Sequence, residues 1–101
     1  MSKVIINVTQ EHIDQGLPTS PWYCPIALAT KRAIKNTDPN LSSVAVVGSK
    51  KIYLHYYNGK SIIAFTASNL IEFIRDFDNG RPVKPFDFEI DFETRICYKL
   101  S

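Results

Sequence analysis

Cys24 and His12 are the first pair in this 101-residue chain whose types and order suit acid–base or nucleophilic chemistry. Pro25 fits the first position of a helix, which places Cys24 at or beside the N-cap, where the helix dipole favours a thiolate. His12 stands on a short preceding helix beside Glu11, so an imidazole base and a carboxylate to orient it are available by type. A plainer account competes: Cys24 is a small buried cap, His12 satisfies a backbone group of its own short helix, and Glu11 complements that helix's dipole. No local signature of a cysteine-enzyme family surrounds Cys24, and the leading expectation assigns no catalytic residue.

A second constellation is the row Asp87, Glu89, Asp91 and Glu93, which alternates with Phe86, Phe88, Ile90 and Phe92. On a strand, residues two apart repeat at roughly 6.6–6.8 Å, near the phosphate spacing of a nucleic-acid strand, so the row suits a basic protein patch or imitates a phosphate backbone. Its alternatives are an exposed face kept soluble or an edge strand protected from pairing. Trp22 and Tyr23, in a loop rigidified by Pro18 and Pro21, are candidates for an aromatic anchor or for a lid over the end of a core. Tyr53, His55 and Tyr57 share one strand face, with Lys50, Lys51 and Lys60 at its ends, a pattern that would stack bases and meet phosphates or simply form cross-strand pairs. The Lys31, Arg32 and Lys35 face of a helix carries the same ambiguity, with a solvated face as its default reading. Dinucleotide, P-loop and zinc signatures are absent, and neither a metal nor a cofactor is expected.

The elements that position these groups follow from pattern. Lys3 to Val8 is an apolar, β-branched strand whose unbroken run predicts a central place in a sheet. Thr9 caps a helix of one or two turns, with Val8 and Ile13 as a hydrophobic staple and Gly16 as a left-handed terminator. The helix from Cys24 to Lys35 is the central packing element: Ile26, Ala29 and Ala33 line one side, flanked by Ala27 and Ile34, and Leu28 alone breaks the pattern. Thr37-Asp38-Pro39-Asn40 ends it near Asn36. Ser43 to Val47, Lys51 to Tyr57 and Ser61 to Phe65 form a meander, its second turn a two-residue hairpin at Asn58-Gly59. Asn69 and Glu72 have capping-box spacing ahead of an arc of Leu70, Ile71, Phe73, Ile74 and Phe77, and the helix stops at Asn79-Gly80. The Phe86 to Glu93 strand follows, and Arg95 to Leu100 either continues it or returns as a further strand.

The resulting class is α+β: a mostly antiparallel sheet of about five strands, two main helices on one face, and a short N-terminal helix, in one domain. A composition of 45% hydrophobic and 22% charged residues is that of an ordinary globular chain, and a net charge of +2 does not by itself imply nucleic acid. Residues 1–50 carry five basic and three acidic side chains, while residues 51–101 carry seven of each, with four of those acids in the terminal strand. The apolar run at Val4 is too short for a secretory core and no stretch suits a membrane span, so the expectation is a cytoplasmic protein with two free thiols, Cys24 and Cys97.

Three blocks, Thr9-Gln10-Glu11-His12-Ile13 through Gly16, Cys24-Pro25-Ile26-Ala27-Leu28-Ala29, and Phe73 through Gly80-Arg81-Pro82-Val83-Lys84-Pro85-Phe86-Asp87-Phe88-Glu89-Ile90, together resemble a group of short uncharacterised proteins from phages and bacteria. The resemblance implies a small accessory protein of a phage or mobile element and supplies no activity. The function expected is that of a non-enzymatic interaction protein, binding a host or phage macromolecule, a protein before a nucleic acid, through the acidic strand or the Trp22 loop. A thiol-dependent enzyme and a single-stranded nucleic-acid binder stand as alternatives.

Overall fold

A computed structural model describes the backbone of residues 2–48, 50–66 and 70–98 and the side chains of residues 3–48, 50–66 and 70–91. The chain runs β1 (Ser2–Val8), α1 (Gln10–Gln15), α2 (Pro25–Thr37), β2 (Leu41–Val47), β3 (Lys51–Tyr56), β4 (Lys60–Thr66), α3 (Ile71–Asp78) and β5 (Phe86–Tyr98). All strand pairs are antiparallel and the order is β1-β5-β4-β3-β2, so the α+β class holds. Arg95 to Tyr98 continue β5 rather than turning back.

The helix α2 forms for the reasons its sequence gives. Cys24 has extended backbone and its Sγ accepts the Ala27 N–H at 3.5 Å, Pro25 takes the first turn, and the Asp38 N–H closes the last turn onto Ile34 O at 2.8 Å. Ile26, Ala27, Ala29 and Ile34 are buried, each isoleucine contributing about 1.5–3 kcal/mol by leaving water. Leu28 is half-buried, and Thr30, on the same side as Ile26, is wholly buried. The helix lies against β1 and β2, the two outermost strands, so the sheet curls around it. Ile6, Val8, Val44, Ile52, Leu54, Ala64, Phe88 and Ile90 join these α2 residues in one core, with Phe73 and Ile74 of α3 packed at its margin.

Several local expectations are corrected. The strand β1 is an edge, not a central strand: its apolar run alternates, with Ile6 and Val8 buried while Ile5 is 54% exposed. Composition suggested burial on both faces because Ile5 fills an outward position with an apolar side chain. Gly16 is extended (φ −71°, ψ 153°) rather than left-handed. It is small because Pro25 packs against it: a Cβ there would lie 2.6 Å from Pro25 Cδ. The β3–β4 turn spans three residues, Tyr57 to Gly59, with only Gly59 at positive φ (88°). A two-residue turn at Asn58-Gly59 would need Asn58 left-handed as well, whereas its Oδ1 instead accepts the Lys60 N–H at 3.0 Å. Asn69 lies outside the described residues, and Leu70 at the N-cap of α3 makes no side-chain cap bond. No residue within α3 is fully buried. Phe73 packs against Phe86 with ring centroids 4.8 Å apart, and Ile71 remains 42% exposed.

Candidate functional site

The structure does not bring Cys24 and His12 together. Cys24 lines a cleft of about 560 Å³ beside α3, while His12 lines a separate polar groove of about 540 Å³ between α1 and α2. Burial pushes the Cys24 thiol above its ordinary value. The Ala27 and Ile26 amides pull the other way, but Asp78 adds to the rise. The half-buried sulfur accepts a backbone N–H and so serves as the helix cap, and the upward shift disfavours the thiolate that a nucleophile needs.

His12 is buried at the third position of α1 and completes a capping box in the place usual for Glu or Gln. Its backbone N–H donates to Thr9 Oγ1 at 3.4 Å, and the Thr9 N–H donates to His12 Nδ1 at 3.1 Å. That bond leaves the ring proton on Nε2, which is buried without a hydrogen-bond partner among the described residues. Burial and the neighbouring Arg32 charge hold the imidazole below its ordinary pKa, with Glu11 opposing. Glu11 does not orient the ring, since its carboxylate pairs with Arg32 at 3.3 Å on the surface.

Trp22, Tyr53, His55, Lys51 and the described acids of β5 lie on the outward face of the sheet. Register sets Ala45, Tyr53 and Ile63 in one row across β2, β3 and β4, and Ser43, His55 and Ser61 in the next. A third row runs Val47, Lys51, Phe65, Asp91 and Lys3 across all five strands. The 17–23 loop reaches this face around the β2 edge. Pro21 O accepts the Val46 N–H at 2.9 Å, and Tyr23 O accepts the Leu17 N–H at 2.8 Å, which closes the loop on itself. Trp22 thereby lies 5.9 Å from His55 between ring centroids, and His55 lies 6.4 Å from Tyr53. The Nδ1 of His55 is 3.0 Å from Ser61 Oγ, a bond that sets the ring's orientation. Ala45 is only 6% exposed on this outward row, while Trp22 and Tyr23 keep 46% and 56% of their surface open.

The acidic row belongs to the same face. Asp87 stands opposite Asn7, Glu89 opposite Ile5, and Asp91 between Lys3 and Phe65. Asp87 and Glu89 are exposed and Asp91 is half-buried. Glu93 follows by strand position, and its side chain, like that of Cys97, lies outside the described residues. Because β5 sits between β1 and β4, the acids do not protect an edge. Tyr57 is in the hairpin turn, 69% exposed, and so leaves the Tyr53/His55 face on which alternation had placed it. Lys50 is in the β2–β3 turn, and Lys51 stands on the outward row beside Phe65.

The members of this surface are legible in the sequence but their union is not, because Trp22 meets His55 by way of a loop that passes around the β2 edge, which no local pattern encodes. Phe65 and Ile63 are absent from the candidates the sequence suggests, although their alternation with Ala64 and Thr66 marks them as outward. No described helix is long and apolar enough to cross a membrane. No protein-family model, curated protein or solved structure matches the chain.

Proposed function

We propose that this chain is a non-catalytic binding module that grips a protein partner through the outward face of its sheet. The observation that carries the reading is the assembly of Trp22 from the 17–23 loop with His55 and Tyr53 of β3 into one partly exposed aromatic group on the face that also bears Asp87, Glu89 and Asp91. Tryptophan and tyrosine held by a rigid frame lose little conformational entropy on binding and dominate interface energetics. Asp91 stands one row beyond Tyr53, and Glu89 and Asp87 stand farther along the same face, so the acids select a partner that carries lysine or arginine to one side of its aromatic or aliphatic contacts. They also repel phosphates, which counts against single-stranded nucleic acid despite Lys50 and Lys51. The resemblance to short phage and bacterial proteins supports an accessory role of this kind.

The test is partner capture by cross-linking with three variants: Trp22→Ala, the pair Asp87→Asn with Glu89→Gln, and the distant pair Lys31→Gln with Lys35→Gln. A shared partner lost from the first two and kept by the third supports the reading. Retention of every partner by both surface variants overturns it. Trp22 is the only tryptophan, so its emission reports engagement of the purified partner directly.

A further inference from the structure

Away from the outward face, a second concavity lies where the 19–24 loop, the end of β2 and α3 meet. Its volume of about 560 Å³ falls in the range of small-ligand sites, and Pro21, Val46, Ile71 and Ile74 give it apolar walls. Among the described residues, Asp78 is the only charged side chain lining it. That carboxylate is in neither of the two ion pairs formed among the described residues. Its Oδ1 accepts the Thr19 N–H at 2.8 Å, which pins the loop to α3. The bond also holds Thr19 at φ 57°, the one non-glycine residue at positive φ among those described. Backbone strain of this kind costs of order 1–3 kcal/mol and persists where the surroundings over-determine it. Cys24 faces the same cleft as a neutral thiol, so it offers sulfur contact without charge.

We propose that this cleft binds a small organic cation, a compact apolar body carrying one ammonium group, with the ammonium at Asp78 and the apolar body between Val46, Ile71 and Ile74. Charge decides the class. A single half-buried carboxylate, with no basic side chain among the described residues that line the cleft, favours a cation over a neutral or anionic molecule of the same shape. The fixed loop makes the site preformed, so little ordering is required when the ligand enters.

The experiment titrates the whole chain with phenethylammonium, 2-phenylethanol and 3-phenylpropionate while following backbone amide resonances. Phenethylammonium should shift the Thr19, Val46 and Ile74 amides saturably. It should bind roughly three- to tenfold more tightly than the alcohol, the ratio expected of one partly desolvated ion pair, and the acid should bind least. Asp78→Asn keeps an oxygen for the Thr19 N–H and should erase the difference between amine and alcohol. Ile71→Gln, at an exposed position, should weaken both alike. Equal binding of amine and alcohol to the native chain, preference for the acid, shifts confined to the Trp22 and His55 face, or no saturable shift each overturns the proposal. The outward-face reading is untouched by any of these outcomes except shifts on its own residues.

Discussion

Gly16→Ala tests how α1 is joined to α2. A methyl at Gly16 would stand 2.6 Å from Pro25 Cδ, 2.7 Å from Cγ and 2.8 Å from the Pro25 nitrogen, all inside contact distance. Pro25 is buried and heads α2, so its ring moves only if the helix shifts within the core. Overpacking of this kind costs about 1–3 kcal/mol, and the stiffer unfolded chain of the alanine variant returns ~0.4–1 kcal/mol. The net is a loss of about 1–2 kcal/mol, or a Tm lower by roughly 4–16 °C for a domain of this size. Urea unfolding followed by circular dichroism measures it, with an unchanged m-value as the check that the native state is intact. A left-handed Gly16 would predict a similar penalty for a different reason, so the double variant with Pro25→Ala discriminates. Removing the ring deletes the two closest contacts, and the paired changes should then couple favourably by about 1 kcal/mol. Purely additive penalties, or a Gly16→Ala variant as stable as the native chain, would refute the close-packing account.

The remaining predictions concern His12, Cys24 and the surface. Because the folded imidazole is held below its unfolded pKa of ~6.5, its stabilising contribution is complete above that value and is lost as pH falls through the folded pKa. Urea midpoints should therefore decline as pH falls below about 6.5, and His12→Gln, which keeps an acceptor for the Thr9 N–H, should lack that component. An identical pH profile in both proteins would show that His12 is not the titrating cap. Cys24, capped and half-buried, should react with iodoacetamide at neutral pH more slowly than in the unfolded chain, and Cys24→Ala should cost about 1 kcal/mol while Cys24→Ser costs less. A native rate above the unfolded one would revive the nucleophile. Trp22→Ala should leave stability within ~1 kcal/mol, since nearly half of the side chain is open, while abolishing partner capture.

What the sequence disclosed was whatever is encoded within a few residues. The Cys24-Pro25 start of α2, its apolar side, the Thr9 cap and the alternation of β5 from Asp87 to Ile90 are short-range features, and each stands in the structure. The errors arise where a long-range neighbour decides. Gly16 answers to Pro25 nine residues on, and β1 became an edge because the last strand, not the next one, lies beside it. The candidate surface was legible only as separated parts, since Trp22 meets His55 by passing around the β2 edge. The cleft was not legible at all, because its walls come from three distant stretches, none of which carries a motif.

The placement of β5 between β1 and β4 bears on how the polypeptide matures as it is made. Of the five described strands, β1 is made before the others and pairs with β5, the last of them, roughly eighty residues later. Meanwhile β2, β3 and β4 can zip as local hairpins, and α2, which touches both ends of the finished sheet, has only one of its two supports. Completion is thus a single late insertion that seals β1, β4 and α2 at once. Until residues 86–98 are available the nascent chain exposes an open β4 edge and an uncovered β1, the period in which it is most exposed to misassociation.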